Sequence, residues 1–419
     1  MRSRSHRYAV TITILCLVIL TGLGVLFVLV RQLREDGGAI PFGQESRGEE
    51  TADLSGEPLP AFGGAEPIRQ QTADPASSAQ AENITSDVEN AESQSGEPEQ
   101  APQEPEITPV TLMFTGDVLF DYSFNTNYPA HGVSGIVDDG FLSEMRDADI
   151  LTVNEEFPFG TTGTPWPDKQ FTFRVDPKYV SVLTELGVDL VSLANNHTMD
   201  FGASALQETF ETLDGEGIPY IGAGENKARA KQLHIIEAGG KRFGFLAASR
   251  VVPSTAWYAT ANGPGLFTTY DPAELLECIR EARPQVDFLT VFVHWGIERN
   301  EYPEEYQRTM GRQYIEAGAD LVIGSHPHVL QGIQYFDGKP VFYSLGNYIF
   351  NQTTSRTAAV KVTVSPEGEA SYRILPGTIK GGKTTLYTGE DALGLYGYLE
   401  GISEKVRIGE DGTVTEAGN

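Results

Sequence analysis

The stretch VSLANNHTMDFG, residues 191–202, decides how the chain is read. The apolar run VDLVSLA before it has the texture of a buried strand. It passes without a break into Asn195, Asn196, His197 and, three residues further on, Asp200. In layered α/β folds, ligands collect beyond the carboxyl ends of strands, so polar side chains crowded there point to a site. Asn196 offers an amide oxygen, and His197 titrates near neutrality. Asp200 has two readings: it holds the His197 ring in one tautomer, or it caps a helix starting near Gly202.

Outward from this stretch, β-rich runs alternate with helix-like ones. Strands are predicted at 110–116, 149–153, 188–193, 218–222, 241–249, 286–293 and 320–323. Helices are predicted at 177–186, 203–213, 272–282 and 302–317. Such alternation argues for α/β layers with buried strands. After His328 the texture changes to hairpins, with the Asp337-Gly338 turn between QGIQYF and VFYSLG. The expected fold class is therefore α/β (α+β), a sandwich of sheets flanked by helices rather than one open sheet.

Four more strand ends carry candidate chemistry. FTGDVLFD (114–121) places Gly116 and Asp117 directly after a strand, where the glycine is expected to allow a tight turn. LTVNEEFPFG (151–160) closes a strand with Asn154 and Glu155, and pleating puts Glu156 on the opposite face from Glu155. VFVHWG (291–296) ends in His294, and LVIGSHPHV (321–329) brings His326 and His328 to one side of an extended chain. Of 7 histidines, these four and, less convincingly, His234 lie at or after strand ends. Imidazole, carboxylate and amide donors together suit Zn, Mn, Fe or Ni and suit Ca or Mg poorly.

The formal charge of −28 excludes nucleic acid as a partner, because phosphate binding needs a basic face. The two cysteines, Cys16 and Cys278, form neither a disulfide framework nor a CxxC metal pattern, and Cys278 reads as a buried helix residue. Residues 8–30 contain no Asp, Glu, Lys or Arg. At about 1.5 Å per residue such a run crosses a hydrocarbon core of ~30 Å. Residues 1–7, with Arg2, Arg4 and Arg7, form a basic tail that favours a cytoplasmic N-terminus. The run is too long and its end too bulky for a cleaved signal peptide. The expectation is a single-pass cell-membrane protein with its main domain extracellular. Residues 31–108 read as an acidic linker. From Glu35 to Thr108 it holds 17 acidic and 2 basic residues, so ordering it is not offset by apolar burial and disorder is predicted.

The set GDV (116–118), Asn154–Glu155, ANNHTMDFG (194–202), VHWG (293–296), GSHPHV (324–329) and YSLGN (343–347) resembles the CapA, or poly-γ-glutamate capsule-synthesis, family. The resemblance covers about Pro109 to Phe350, and through that family the chain is similar to calcineurin-like metallophosphatases. It implies a four-layer β-sandwich flanked by helices over 109–350, with 351–419 a β-rich extension of the same domain. It implies Asp117, Glu155, Asn196, His294, His326 and His328 as ligands of one or two divalent ions (Mn, Zn or Fe), Glu155 being the bridging carboxylate. His197 is implied as an acid braced by Asp200, and Asn154, Asn195, Arg174 and Asn347 as substrate contacts. One departure stands out: Leu119 occupies the place of a ligand histidine, which removes a donor from one metal. The implied chemistry is attack by a metal-activated water, with His197 as acid, on an amide of poly-γ-glutamate or on a phosphoester. Arg174 or Arg299 is expected to offset the acidic field toward such an anion. Three functions follow from the resemblance: a component of capsule-polymer assembly or export alongside membrane synthase subunits, a surface metal-dependent hydrolase, or a polymer-binding domain without catalysis.

Overall fold

Strand β1, Val110–Val118, shows why the layers form. Its side chains alternate, so Leu112 and Phe114 enter one apolar core while Met113 enters another. The computed structural model describes residues 108–350 and 354–418. The expected membrane span and all but the last residue of the expected linker lie outside these residues. Among the described residues no helix is long and apolar enough to cross a membrane.

β1 runs parallel to β2, Ile150–Glu155, which continues in parallel to β3, Leu190–Ser192, and β4, Tyr220–Ile221. On its other side β1 pairs antiparallel with Thr354–Val364, and the C-terminal strands complete a ten-stranded sheet. A second, six-stranded sheet is built on the parallel strands β5, Lys241–Ser249, β6, Phe288–His294, and β7, Leu321–Ser325. Three apolar clusters separate four layers. One lies between the sheets, where Phe114 meets Phe292 at 5.5 Å between ring centroids. One packs the outer face of the first sheet under helices such as Gly202–Glu216. One packs the outer face of the second under Ala273–Ala282, which carries the buried Cys278, and Glu305–Ala317. Each fully buried Phe, Leu, Ile or Val contributes about 1.5–3 kcal/mol, and β6 is apolar on both faces: Phe288 and Phe292 enter the core between the sheets, Leu289, Val291 and Val293 the outer one.

Both parallel sets end on the same side, and side chains from the two sheets meet there. Gly116 makes that meeting possible by close approach rather than by a tight turn. A Cβ on Gly116 would sit 1.9 Å from the carbonyl oxygen of Gly346, which accepts the Asp117 amide at 2.9 Å.

Candidate metal centre

Each donor arrives from the end of a parallel strand. Asp117 closes β1, Asn154 to Glu156 close β2, Asn196 follows β3, His294 closes β6, and His326 and His328 follow β7. The last two adopt positive φ, +99° for His326 and +58° for His328, which non-glycine residues rarely do and which aims both rings inward around Pro327.

The rings of His294 and His326 lie 4.8 Å apart, and those of His326 and His328 5.8 Å apart. His294 Nε2 is 2.8 Å from Asn196 Oδ1, while its Nδ1 is fixed 2.9 Å from the Ser325 hydroxyl. His328 Nδ1 faces Asn347 Oδ1 at 2.7 Å and Asp117 Oδ2 at 3.3 Å. The carboxylate in this ring of imidazoles belongs to Glu156, not to Glu155. One Glu156 oxygen stands 3.7 Å from His294 Nε2 and 3.8 Å from His328 Nε2. Donor atoms of Glu156, His326 and His328 all fall within 4.8 Å of one another. The reason is register: Asp117 pairs with Asn154, so the β2 face that meets Asp117 carries residues 154 and 156. Glu155 points to the other face. Both its oxygens are buried without partners, and burial alone, with no charged neighbour, pushes its carboxyl well above the usual range.

The electrostatics follow from burial and from like charges in one place. Burial and the neighbouring imidazoles depress His294 well below its ordinary value. Burial, then His328, takes His326 down to about 3. At His328 burial also opposes charge, but Glu156 and Asp117 outweigh it and raise the ring to about 10. Burial first, then Asp117, raises Glu156 well above the carboxylate range.

Asn154 and Asn195, expected to contact substrate, are engaged by protein groups. Asn154 Nδ2 donates to Asp117 Oδ1 at 2.8 Å, and its Oδ1 accepts from Asn195 Nδ2 at 3.2 Å. Asn195 also donates to the Glu155 carbonyl and accepts from the His197 amide and the Thr198 hydroxyl, all while fully buried. These two amides brace the strand ends. Asn347 lies beside Asp117 in register, with its Nδ2 buried and unpartnered.

His197 stands at one side. Its Nδ1 lies 2.7 Å from Asp200 Oδ2, its ring packs on Phe173 at 4.3 Å, and its Nε2 has no partner among the described residues. Asp200 is no helix cap: Gly202–Glu216 begins at Phe201 without a side-chain cap. Instead Asp200 gathers a loop. Its carboxylate accepts from the Phe173 amide at 2.7 Å and pairs closely with Lys169, and its carbonyl accepts from the Trp166 amide at 2.7 Å. Lys169, 12% exposed, also donates to the Asn196 carbonyl at 2.5 Å and lies 2.9 Å from His197 Nδ1. Sequence reasoning missed this lysine; the nearest clue is its alternation with Phe171 and Phe173.

A cavity of about 640 Å³ opens beside the cluster, with His197 and His328 in its wall, Phe120, Phe171 and Phe173 around it, and Arg174 and Arg299 among its cations. Arg174 is held by the Thr162 carbonyl at 2.9 Å and by stacking 4.2 Å over Phe201. Leu119 lines the same cavity, so the place of the missing donor is apolar.

Two sheets whose parallel strands end in a buried cluster of histidines, carboxylates and an asparagine define the class: a mixed α/β sandwich with a candidate metal centre. Residues 111–352 match the family model described as bacterial capsule synthesis protein PGA_cap, and the chain belongs to that family. It is 31% identical over 213 residues to the PGA biosynthesis protein CapA of Bacillus subtilis, covering 50% of this chain and 56% of that one. It is 32% identical over 248 residues to the capsule biosynthesis protein CapA of Bacillus anthracis, covering 57% and 60%. It is 29% identical over 216 residues to a probable polyglutamine synthesis accessory protein of Mycobacterium tuberculosis, covering 49% and 57%. The chain thus spans little more than half the length of these relatives. Among solved structures, similarity extends to a phosphatase from Mycoplasma pneumoniae (TM-score 0.42, 12% identity, 64% of this chain and 94% of that one). It extends also to the NAD nucleotidase of Haemophilus influenzae (TM-score 0.41, 13% identity, 71% and 63%). At these scores the likenesses carry no weight for the site.

Proposed function

We propose that the chain is a membrane-anchored component of poly-γ-glutamate capsule synthesis or export whose outer domain binds a divalent metal and hydrolyses an amide of that polymer. The observation that carries the metal is the set of buried donors without hydrogen bonds: both oxygens of Glu156 and Nδ1 of His326. Buried polar groups are ordinarily paired, and separations of 3.7–3.8 Å to the neighbouring imidazoles are too long for hydrogen bonds. Asp117, Glu156, Asn196, His294, His326 and His328 would hold the ion, and their donor types suit Mn, Zn or Fe. Leu119 in the cavity wall favours one ion over two. A bound ion supplies Lewis-acid polarisation of a carbonyl or phosphoryl oxygen.

The chain's own residues do the rest. His197, with Nδ1 turned to Asp200, keeps Nε2 on the cavity side without a partner among the described residues. Once doubly protonated, with Asp200 holding the Nδ1 proton against the burial that disfavours the charged ring, it can hand its Nε2 proton to a leaving group. Lys169 neutralises Asp200 and holds the Asn196 peptide. Arg174 and Arg299 offset the acidic field for an anionic chain. The polymer assignment is supported by the family and by the relatives' names. The anchor, with the N-terminus cytoplasmic and the domain outside, is supported by the uncharged run at 8–30 behind a basic tail. Synthase subunits in the membrane are the expected partners.

The test is elemental analysis of the purified protein, followed by turnover assays on poly-γ-glutamate and on a generic phosphoester. Bound metal with polymer cleavage is expected. A protein that takes up neither Mn nor Zn when these are supplied refutes the metal, and cleavage of the phosphoester alone moves the substrate to that class.

A further inference from the structure

Arg250 follows directly on β5, and its backbone amide donates to the His294 carbonyl at 2.8 Å, so it stands at the same strand-end level as the metal cluster. Its guanidinium carbon lies 3.8 Å over the Tyr306 ring and 5.3 Å over that of Tyr270. Both rings are themselves anchored. The Tyr306 hydroxyl accepts from the Gly296 amide at 2.7 Å, and the Tyr270 hydroxyl from the Val252 amide at 3.2 Å. Stacking fixes the plane of a guanidinium and lowers the entropy lost when it grips a planar anion.

What the arginine lacks is the anion. Its Nε is buried without a hydrogen-bond partner, and among the described residues no carboxylate pairs with it. Its two terminal nitrogens are also unpaired, and they are not among the buried unsatisfied atoms, so they reach solvent. A shortage of carboxylates is not the cause, since the chain has 58 acidic residues against 30 basic ones. Glu304, beside Tyr306 in sequence, is already engaged: its side chain caps the helix Glu305–Ala317 and accepts from Asn300 Nδ2 at 2.8 Å. A guanidinium that is stacked, partly buried and unpaired in an acidic protein has the form of a preset oxyanion receptor. The segment from Gly296 to Arg299 connects this receptor to the cavity: Tyr306 holds the Gly296 amide, and Arg299, in the cavity wall, donates its amide to the Pro327 carbonyl at 2.8 Å.

We propose that Arg250 is a carboxylate subsite of the substrate groove, gripping a side-chain carboxylate of an anionic polymer whose neighbouring unit lies at the metal cluster. This rests on the polymer reading above. Arg250 then sets register along the chain, and Arg299, at the far end of the same segment, meets a further carboxylate.

The experiment titrates a γ-linked glutamate pentamer into the full-length protein by calorimetry, with inorganic phosphate as a second ligand, and measures metal content on the same samples. R250Q is expected to weaken pentamer binding about tenfold, the size of one charged hydrogen-bonding pair. R250K is expected to recover part of that loss, because it restores charge without the planar fork, and both variants should keep the parent's metal content. Equal pentamer affinity in R250Q and the parent overturns the subsite, as does a parent that binds no pentamer. Loss of phosphate binding in R250Q with pentamer binding unchanged overturns it in favour of a phosphate receptor. A protein without metal that still shows Arg250-dependent pentamer binding upholds the subsite and refutes only the metal reading.

Discussion

Lys169→Met tests whether the loop around residues 161–174 is held to the site by one buried ion pair. Methionine keeps the aliphatic stem against Trp257, over which the ammonium sits at 5.3 Å from the ring centroid, and removes only the charge. Asp200 is fully buried and the lysine side chain 12% exposed, so the carboxylate left behind cannot recover its loss from water. Removing one partner of a buried pair costs about 3–5 kcal/mol. Asp200 keeps the Phe173 amide and His197 Nδ1, which places the expected loss at the lower end, about 3 kcal/mol. With an unfolding entropy of ~2.1 cal/mol/K per residue over roughly 310 residues, that loss lowers Tm by about 5 °C. Differential scanning calorimetry of the purified parent and variant measures it. The double variant Lys169→Met with Asp200→Asn removes both charges and is expected to regain at least half of the loss, because an uncompensated charge is what destabilises the single variant. A Lys169→Met protein melting within about a degree of the parent, or a double variant as low as the two single losses added, refutes the latch.

Glu156→Gln should lower metal retention at least tenfold while Glu155→Gln leaves it unchanged, measured by elemental analysis after dialysis against a weak chelator; the reverse order would restore Glu155 to the centre. His326→Ala should lose metal, whereas His197→Ala should keep it and lose turnover, so metal loss in His197→Ala would make that ring a ligand. Glu144 lies between Lys361 Nζ at 2.8 Å and Arg373 at 2.7 Å, which outweigh burial and hold its carboxyl below the usual range. A depressed carboxyl stabilises the fold above its unfolded pKa and loses that effect as pH falls through the folded one. Glu144→Gln should therefore cost about 1 kcal/mol at pH 7, allowing for solvent screening, and progressively less as pH falls below the ordinary carboxylate range; a cost that stays constant as the pH is lowered in denaturant titrations rules the pair out.

Much of the fold was legible because the strands that lead into the site are apolar and parallel, each closed by polar residues. The predicted strand at 241–249 matches the observed one residue for residue, and the helix predicted at 272–282 is observed as Ala273–Ala282. Boundaries shifted where polar side chains at strand ends still carry strand hydrogen bonds. β6 runs through His294 and β7 through Ser325, since pairing of one against the other continues into the site. The tertiary role of Gly116 was not legible, because a close approach to Gly346, 230 positions away, leaves no local trace.

The site was readable to the degree that its donors come from strand ends, and unreadable where parity or a loop decides. Alternation alone says that Glu155 and Glu156 face opposite ways, but which of them faces Asp117 depends on register between two strands. The observed pairing of Asp117 with Asn154 settles that parity in favour of Glu156. Lys169 poses a harder case. It sits in an irregular loop whose position is set by hydrogen bonds to Asp200 rather than by any periodic pattern. A buried aspartate that collects a lysine, a histidine and two backbone amides orders three segments at once, since each contact becomes less costly in entropy once the others have formed. Asp200 therefore links the imidazole facing the cavity to the loop that walls it, and a change at Asp200 should disturb both together.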